Sequence, residues 1–449
     1  MKKNQIFTEG PIVPALITFV IPIVFTKFLQ SFYGAADLLI VGRFSDAASV
    51  SAVSTGSQLM GSITFVIADL ALGTTIILGQ LIGEKRTEEC GRVIGSTISM
   101  FIVLGATAAI VLQFLAPSLA GWMNAPEEAF EQTVAYIRIC GAGAVFIVGY
   151  NILGSIFRGI GDSRMPLISV IIASVFNIAG DLLLVKVFGM GARGAAYATV
   201  AAQGLSVLLS ILIIRRNGLP FRFSKADIGF HKAHISRIFS LGLPVAMQDV
   251  LVSLSFLIIT AILNKLGVTA SAGVGVAEKL CNLIMLVPNA FEQAMSSFVA
   301  QNYGARNMTR ANRALFWGIS ISFVFNAVMA YFSFFHGVAM SGLFSADPAV
   351  CAASADYLKS YAIDCLLTAF FFCFLGYFNG CGRTRFFFLQ GLAGAFCVRI
   401  PLAILFSRIE PVSLFRIGLS TPCSSLVQTV MCIVYFVILQ KQLKQKGYK

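Results

Sequence analysis

The sequence predicts an all-α polytopic membrane protein: twelve transmembrane helices in two pseudo-symmetric six-helix lobes. Three observations carry this: an apolar composition, apolar runs of spanning length, and a repeat that maps the first half of the chain onto the second. Of 449 residues, 57% are hydrophobic and 12% charged, against roughly 25% charged in soluble domains. A water-soluble chain of this length would lack the polar surface to cover itself. The apolar residues fall in runs of about 20 to 28, enough to cross a hydrocarbon core about 30 Å thick. Such runs are too long for barrel strands. Helices alone satisfy their own backbone groups within one segment, so helices are expected.

The first six spans are expected at Ala15 to Val41, Val50 to Ile82, Val93 to Leu115, Val134 to Phe157, Pro166 to Phe188 and Ala195 to Ile214. The second six are expected at Ile238 to Leu266, Val274 to Ala300, Ala314 to Phe335, Ala355 to Phe378, Phe386 to Phe406 and Ile417 to Leu439. The chain therefore divides into an N-terminal lobe (1–214), a basic linker (215–237) and a C-terminal lobe with a short basic tail (238–449).

An even number of spans puts both termini on one side, and Lys and Arg in short loops choose the side. The termini's side carries 22 basic residues, among them Lys2, Lys3, Lys85, Arg86, Arg92, six in the linker region from Arg215 to Arg237, and the tail lysines Lys441, Lys444, Lys446 and Lys449. The opposite loops hold six, beside the acidic Glu127, Glu128 and Glu131. Both termini and the linker are expected in the cytoplasm, in a bacterial inner membrane. The same asymmetry accounts for the net charge of +13: the basic residues sit at helix ends facing anionic headgroups. Membrane lipid is thus the expected partner of this charge, and nucleic acid is not. The ten cysteines show no paired spacing and lie mostly inside spans, where reduced thiols serve as small apolar packing.

The repeat is visible at four places. FRGIGDSR from Phe157 to Arg164 recurs as FNGCGRTR from Phe378 to Arg385, an offset of 221 positions. The same offset carries Gln80 onto Gln301, Gly83 onto Gly304 and Arg92 onto Arg313; within one residue of it, Pro22 lies over Pro244. Six helices per copy give both copies the same orientation in the membrane. Parallel repeats related by an axis along the membrane normal are a transporter architecture, moving substrate at the interface between halves.

Ionisable residues inside spans are costly. Several, such as Asp69, Lys279 and Glu292, lie near helix ends. Asp37 and Asp181 do not have that excuse. Asp181 follows Asn177 by four residues and shares its helix face, and Thr199 stands one turn beyond Ala195 in a stretch of small residues suited to close helix approach. If span one packs beside spans five and six, two carboxylates, an amide and a hydroxyl converge. Such hard oxygen ligands suit an alkali cation; without one, two adjacent carboxylates cannot both ionise cheaply and a proton is held instead. Na⁺ and H⁺ both remain open as coupling ions. The repeat places apolar Val398, Leu402 and Ile258 or Ile259 opposite Asn177, Asp181 and Asp37, and only Thr199 keeps a hydroxyl, at Ser420. A coupling site is therefore expected in the first lobe alone.

On Pro22, Asp37, Gln80 and Gly83, RGIGDSRMP (158–166), NIAGDLLLVKVFGMGARGAAYAT (177–199) and VRIP (398–401), the sequence resembles the multidrug and toxic compound extrusion (MATE) family over nearly its whole length. The resemblance implies two six-helix lobes forming a V-shaped cleft and efflux of cationic or amphipathic compounds against Na⁺ or H⁺. It implies that Asp37, Asn177, Asp181 and Thr199 form the cation site, as metal ligands if the ion is sodium, with the Ala195 carbonyl nearby. It further marks Pro22 as a bend in span one, and Gln30 and Asp37 as substrate-cavity residues. Val252 and Thr368 stand where members with a second-lobe cation site carry acids, while Asp249, Glu278 and Asp364 are out of register; this places the chain nearer the DinF-like branch. The alternative within the superfamily is a lipid or lipid-linked oligosaccharide flippase, whose pyrophosphate needs several cavity cations, where only Lys27, Lys279 and Arg399 qualify. No catalytic constellation surrounds His231, His234 or His336, so no enzyme is expected, nor any cofactor beyond the coupling ion, and a monomer is expected.

Overall fold

The computed structural model describes residues 7–448, and it is built of helices with no strand among them. Lys2, Lys3 and Lys449 of the charge count lie outside the described residues. Eleven helices are long and apolar enough to span a bilayer, and a twelfth span is made by a bent pair. The chain is thus an all-α polytopic membrane protein.

The first half runs α1 (Ile12–Phe44), α2 (Ala47–Gly83), α3 (Thr87–Trp122), α4 (Glu127–Ala142), α5 (Ala144–Gly159), α6 (Arg164–Asp181) and α7 (Gly191–Asn217). The second runs α8 (Lys232–Asn264), α9 (Val268–Ile284), α10 (Leu286–Gly304), α11 (Met308–Phe335), the short α12 (Gly337–Ser341), α13 (Pro348–Gly380), α14 (Thr384–Leu392), α15 (Ile400–Ser407), the short α16 (Leu414–Gly418) and α17 (Ser420–Gln445). A π-helical turn, Leu182–Val187, continues α6, and another, Ala393–Arg399, joins α14 to α15.

The fourth span differs from the single rod expected over Val134 to Phe157. It is the pair α4 and α5, bent by 55°. The break falls at Gly143, whose missing side chain leaves the space that Val200 of α7 fills. The helix also begins earlier than its apolar run, because the acidic Glu127 and Glu128 form its first turn, where carboxylates favour the helix dipole.

Burial follows the logic of lipid rather than water. Large apolar side chains such as Leu39 and Phe114, 73% and 78% exposed, cover the outside. Hydroxyls, amides and glycines lie within, where small residues let backbones approach and polar side chains bond across helices. In the first half Thr75 Oγ1 donates to the Ser155 carbonyl at 2.7 Å, and a Cβ on Gly159 would stand 3.0 Å from the Thr75 carbonyl oxygen. In the second half a Cβ on Gly380 would stand 2.7 Å from the Ser296 carbonyl oxygen. Gly159 and Gly380, like Thr75 and Ser296, are 221 positions apart, so one helix contact is built twice. The turns repeat as well. Gly161 and Gly382 both take positive φ, as do Lys85 and Arg306, and each of the four closes a helix C-terminus, where that conformation is the standard stop.

The described chain forms two compact units: Ile21–Leu243, and Phe7–Val20 together with Pro244 onward. Membership changes inside α1 next to Pro22 and inside α8 at Pro244. Both prolines lie within continuous helices, at points where a backbone hydrogen bond is missing. In the second unit the segment before α1 is pinned firmly. The Phe7 ring lies 4.9 Å from Phe19 and 5.0 Å from Phe298, the Phe7 amide donates to Gln301 at 3.0 Å, and the Arg310 guanidinium donates to the carbonyls of Phe7, Glu9 and Gly10.

The repeated glycine contact has a direct consequence. Gly159→Leu and Gly380→Leu should each sharply reduce the yield of monodisperse protein in size-exclusion chromatography, since overpacking at a backbone contact costs roughly 1–3 kcal/mol or more. Gly61→Ala, whose Cβ would meet nothing within 4 Å, should leave the yield unchanged. Equal yields for all three variants would show that the close approach is dispensable.

Candidate functional site

Asp37, Asn177, Asp181 and Thr199 come together inside the first unit, from α1, α6 and α7. Asp37, Asn177 and Asp181 are 5%, 2% and 0% exposed, and Thr199 is half-buried. The four-residue spacing of Asn177 and Asp181 puts both on the face of α6 that meets α7. That approach is close because a Cβ on Gly180 would already stand 2.9 Å from the Ala198 Cβ. Ala195, one turn before Thr199, is fully buried, and a Cβ on Gly194 would stand 3.1 Å from the Leu184 backbone. On the buried face of this stretch Gly194, Ala195 and Ala198 are small, while its large residues, Arg193 and Tyr197, point outward and are exposed.

The hydrogen bonds form a short chain. The Asn177 amide donates to the Thr199 hydroxyl at 3.3 Å, and that hydroxyl donates to Asp37 Oδ2 at 3.4 Å. The Asp181 carboxyl meets that of Asp37. Here the donors run out: Asp37 Oδ1, Asn177 Oδ1 and both oxygens of Asp181 are buried without a hydrogen-bond partner. Four acceptor oxygens with nothing to accept from are an expensive arrangement in a medium without water. Such a nest is chemically complete only with a proton or a cation. Two carboxylates, an amide and a hydroxyl are hard oxygen donors, the type that suits an alkali cation.

The other expected residues stand apart from this nest. Gln30 is half-buried and donates to the Tyr150 hydroxyl at 3.3 Å, on the same side of α1 as Asp37 but two turns away. Pro22 is fifteen residues before Asp37, roughly 22 Å along a helix, and its carbonyl accepts from the Thr26 hydroxyl at 2.7 Å. Pro22 can thus act on the site only through α1.

Several neighbours escaped the sequence reading. The Tyr33 hydroxyl meets the Gln203 side chain, one turn before Asp37 on α1 and one turn after Thr199 on α7. Their i, i+4 spacing from two site residues was a usable signal. Tyr136 lies near both carboxylates and packs its ring on Gly56 of α2; nothing in the local sequence announces it. Nor does sequence reveal that α6 widens into a π turn immediately after Asp181, a local irregularity frequent at functional sites.

Comparison with known proteins agrees with this architecture. The MatE family profile matches residues 22–183 and again 244–405, one copy per half, beginning 222 residues apart. The probable multidrug resistance protein YpnP of Bacillus subtilis (strain 168) is 26% identical over 413 residues, covering 90% of this chain and 91% of its own. The probable multidrug resistance protein YoeA of the same organism is 28% identical over 320 residues, 69% of each chain. A crystal structure of MATE in the bent conformation matches with a TM-score of 0.93 at 21% identity, covering 100% of both chains, which shows the shared fold. With both halves matched, the chain belongs to the MATE family of multidrug efflux transporters.

Proposed function

We propose that this protein is a cation-coupled antiporter that exports small amphipathic or cationic organic compounds by alternating access, with its coupling site at Asp37, Asn177, Asp181 and Thr199. The observation that carries the reading is the set of four buried oxygens without a donor. A proton or Na⁺ entering the nest neutralises the carboxylate pair and satisfies those oxygens together, with Thr199 and the Ala195 backbone completing the surroundings. Asp37 belongs to α1, whose polar side also carries Gln30 and Tyr33, so a cationic substrate in the first lobe meets the carboxylate that the ion needs. Ion and cationic substrate are then alternative ways to discharge one acidic pair. Exchange follows, because occupancy by either removes the reason to hold the other.

The neutral ligands and the acids differ in weight on this reading. Asp37→Asn and Asp181→Asn keep the volume but remove the charge that drives uptake, and both relieve a desolvation penalty. Each should abolish gradient-driven efflux while membrane levels stay near those of the unsubstituted protein. Asn177→Ala and Thr199→Ala each delete one neutral hydrogen-bonding group and should weaken efflux by roughly three- to tenfold. Efflux from membrane vesicles under an imposed Na⁺ or pH gradient, applied in turn, measures all four variants and identifies the ion. Full gradient-driven transport in Asp37→Asn and Asp181→Asn would refute the site.

We also propose that both termini and the linker face the cytoplasm, supported by the distribution of Lys and Arg. A membrane-impermeant thiol reagent applied to intact cells should reach Glu128→Cys and miss Lys446→Cys. The opposite labelling would invert the protein.

A further inference from the structure

The second lobe holds buried charges of its own that the coupling site does not use. Arg399 closes the π turn Ala393–Arg399 and is 5% exposed. Its Nη1 donates to Ser255 Oγ at 3.1 Å, and its guanidinium lies 4.5 Å from the centre of the Phe256 ring. Asp364 of α13, 3% exposed, lies within its electrostatic reach, with its carboxyl bonded to Ser425 of α17. Glu278 of α9 accepts from Thr260 Oγ1 at 3.1 Å. The remaining titratable neighbours, Tyr357, Tyr361, Cys281 and Cys365, are neutral groups. Arg399 and Asp364 attract without touching: no ion pair within 4.0 Å joins these two described residues. Arg399 Nε and Asp364 Oδ1 each lack a hydrogen-bond partner.

The repeat gives this cluster its meaning. At the 221-residue offset kept by the repeated glycine contacts and turns, Val398, Leu402 and Ser420 stand at the positions of Asn177, Asp181 and Thr199, and Arg399 is the residue next to the counterpart of Asn177. Where the first lobe presents an amide and an acid pair, the second presents a guanidinium. Where the first lobe breaks its fourth span at Gly143, the second runs α13 straight through and places Asp364 at the 221-residue counterpart.

We infer that Arg399 is a tethered cation: it supplies the second lobe from within the protein with the positive charge that the first lobe takes from solution, and so keeps the second lobe from binding a coupling ion. The inference rests on the proposed first-lobe ion site, and it makes Arg399 the residue that sets the number of ions per cycle. A guanidinium cannot dissociate from its lobe and keeps its proton across the physiological pH range. An acid facing it is neutralised permanently rather than once per cycle.

The test uses purified full-length protein and two probes, Na⁺ (with choline replacing it) and pH, read as melting temperature and as ²²Na⁺ binding or proton uptake. All variants carry Asp37→Asn to silence the first lobe. In that background no response to Na⁺ or acid should come from the buried second-lobe groups. Adding Arg399→Gln should create one: a rise in melting temperature of about 3 °C or more with Na⁺ or with acid, together with new ion uptake. Adding Asp364→Asn as well should erase it. A purely structural arginine would lose stability on substitution without gaining any ion dependence, and that result overturns the inference. So does an undiminished ion response in Asp37→Asn with Arg399 intact and Asp364 required for it, since the second lobe would then already bind an ion. If Arg399→Gln fails to fold in choline, Arg399→Gln with Asp364→Asn should restore folding by removing both charges; failure of that pair to recover overturns the inference too. Failure of the first-lobe reading is seen separately, as identical ion responses in the unsubstituted protein and in Asp37→Asn.

Discussion

Two carboxylates facing each other in an apolar bundle, short of donors, are the constraint around which the first lobe is organised. Asp37 and Asp181 receive one hydroxyl hydrogen bond between them, from Thr199 at 3.4 Å, and that is too little to hold two negative charges in a low-dielectric interior. The neighbouring sequence follows from this. Gly180, Gly194, Ala195 and Ala198 are small so that α7 can reach the acids, a π turn follows Asp181, and α1 carries its polar side inward through a bundle otherwise solvated by lipid. A local deficit of positive charge is the physical content of the site.

Much of the fold was legible because a bilayer leaves few options. Apolar runs of spanning length have to be helices, so twelve spans could be read from composition and loop charge. The bend at Gly143 was hidden, since an apolar run looks the same whether straight or broken, and Gly143 is one of forty glycines. The break is dictated by Val200 on another helix, a tertiary demand that no local pattern records. The same limit governs the site. Asn177 and Asp181 share a face by helical arithmetic, and Thr199 follows a recognisable run of small residues. Asp37 could be attached to them only by supposing that α1 packs on α6 and α7. Tyr136 lay beyond reach because its place near the carboxylates depends on Gly56 making room on α2. Periodicity reports which residues share a helix face, but not which faces meet.

The second lobe exposes a different weakness of sequence reasoning. Asp249, Glu278 and Asp364 fall out of register with the first-lobe acids in the repeat. Register, however, says only where a residue cannot copy its counterpart. It does not say what the residue does instead. In three dimensions Asp364 and Arg399 occupy one interior, and the guanidinium belongs to the residue next to the counterpart of Asn177. A count of buried acids would have ranked the lobes as near equals; the balance of acid against base separates them.

That balance bears on how a duplicated transporter comes to work asymmetrically. Two identical lobes with identical acid pairs would each need an external cation, and each would couple an ion to the cycle. On the inference drawn for Arg399, one arginine in a lobe removes that need, because a covalently attached charge stays beside its acid and cannot leave it during the cycle. A ligand of equal affinity for two states shifts nothing, and a tethered charge with the same contacts in both states is the limiting case. On the proposed coupling, the first lobe, with its charge deficit left open, is then the lobe whose energy depends on what it has bound. The asymmetry between Asp37 with Asp181 on one side and Asp364 with Arg399 on the other is accordingly more informative about mechanism than the symmetry of the helices that carry them.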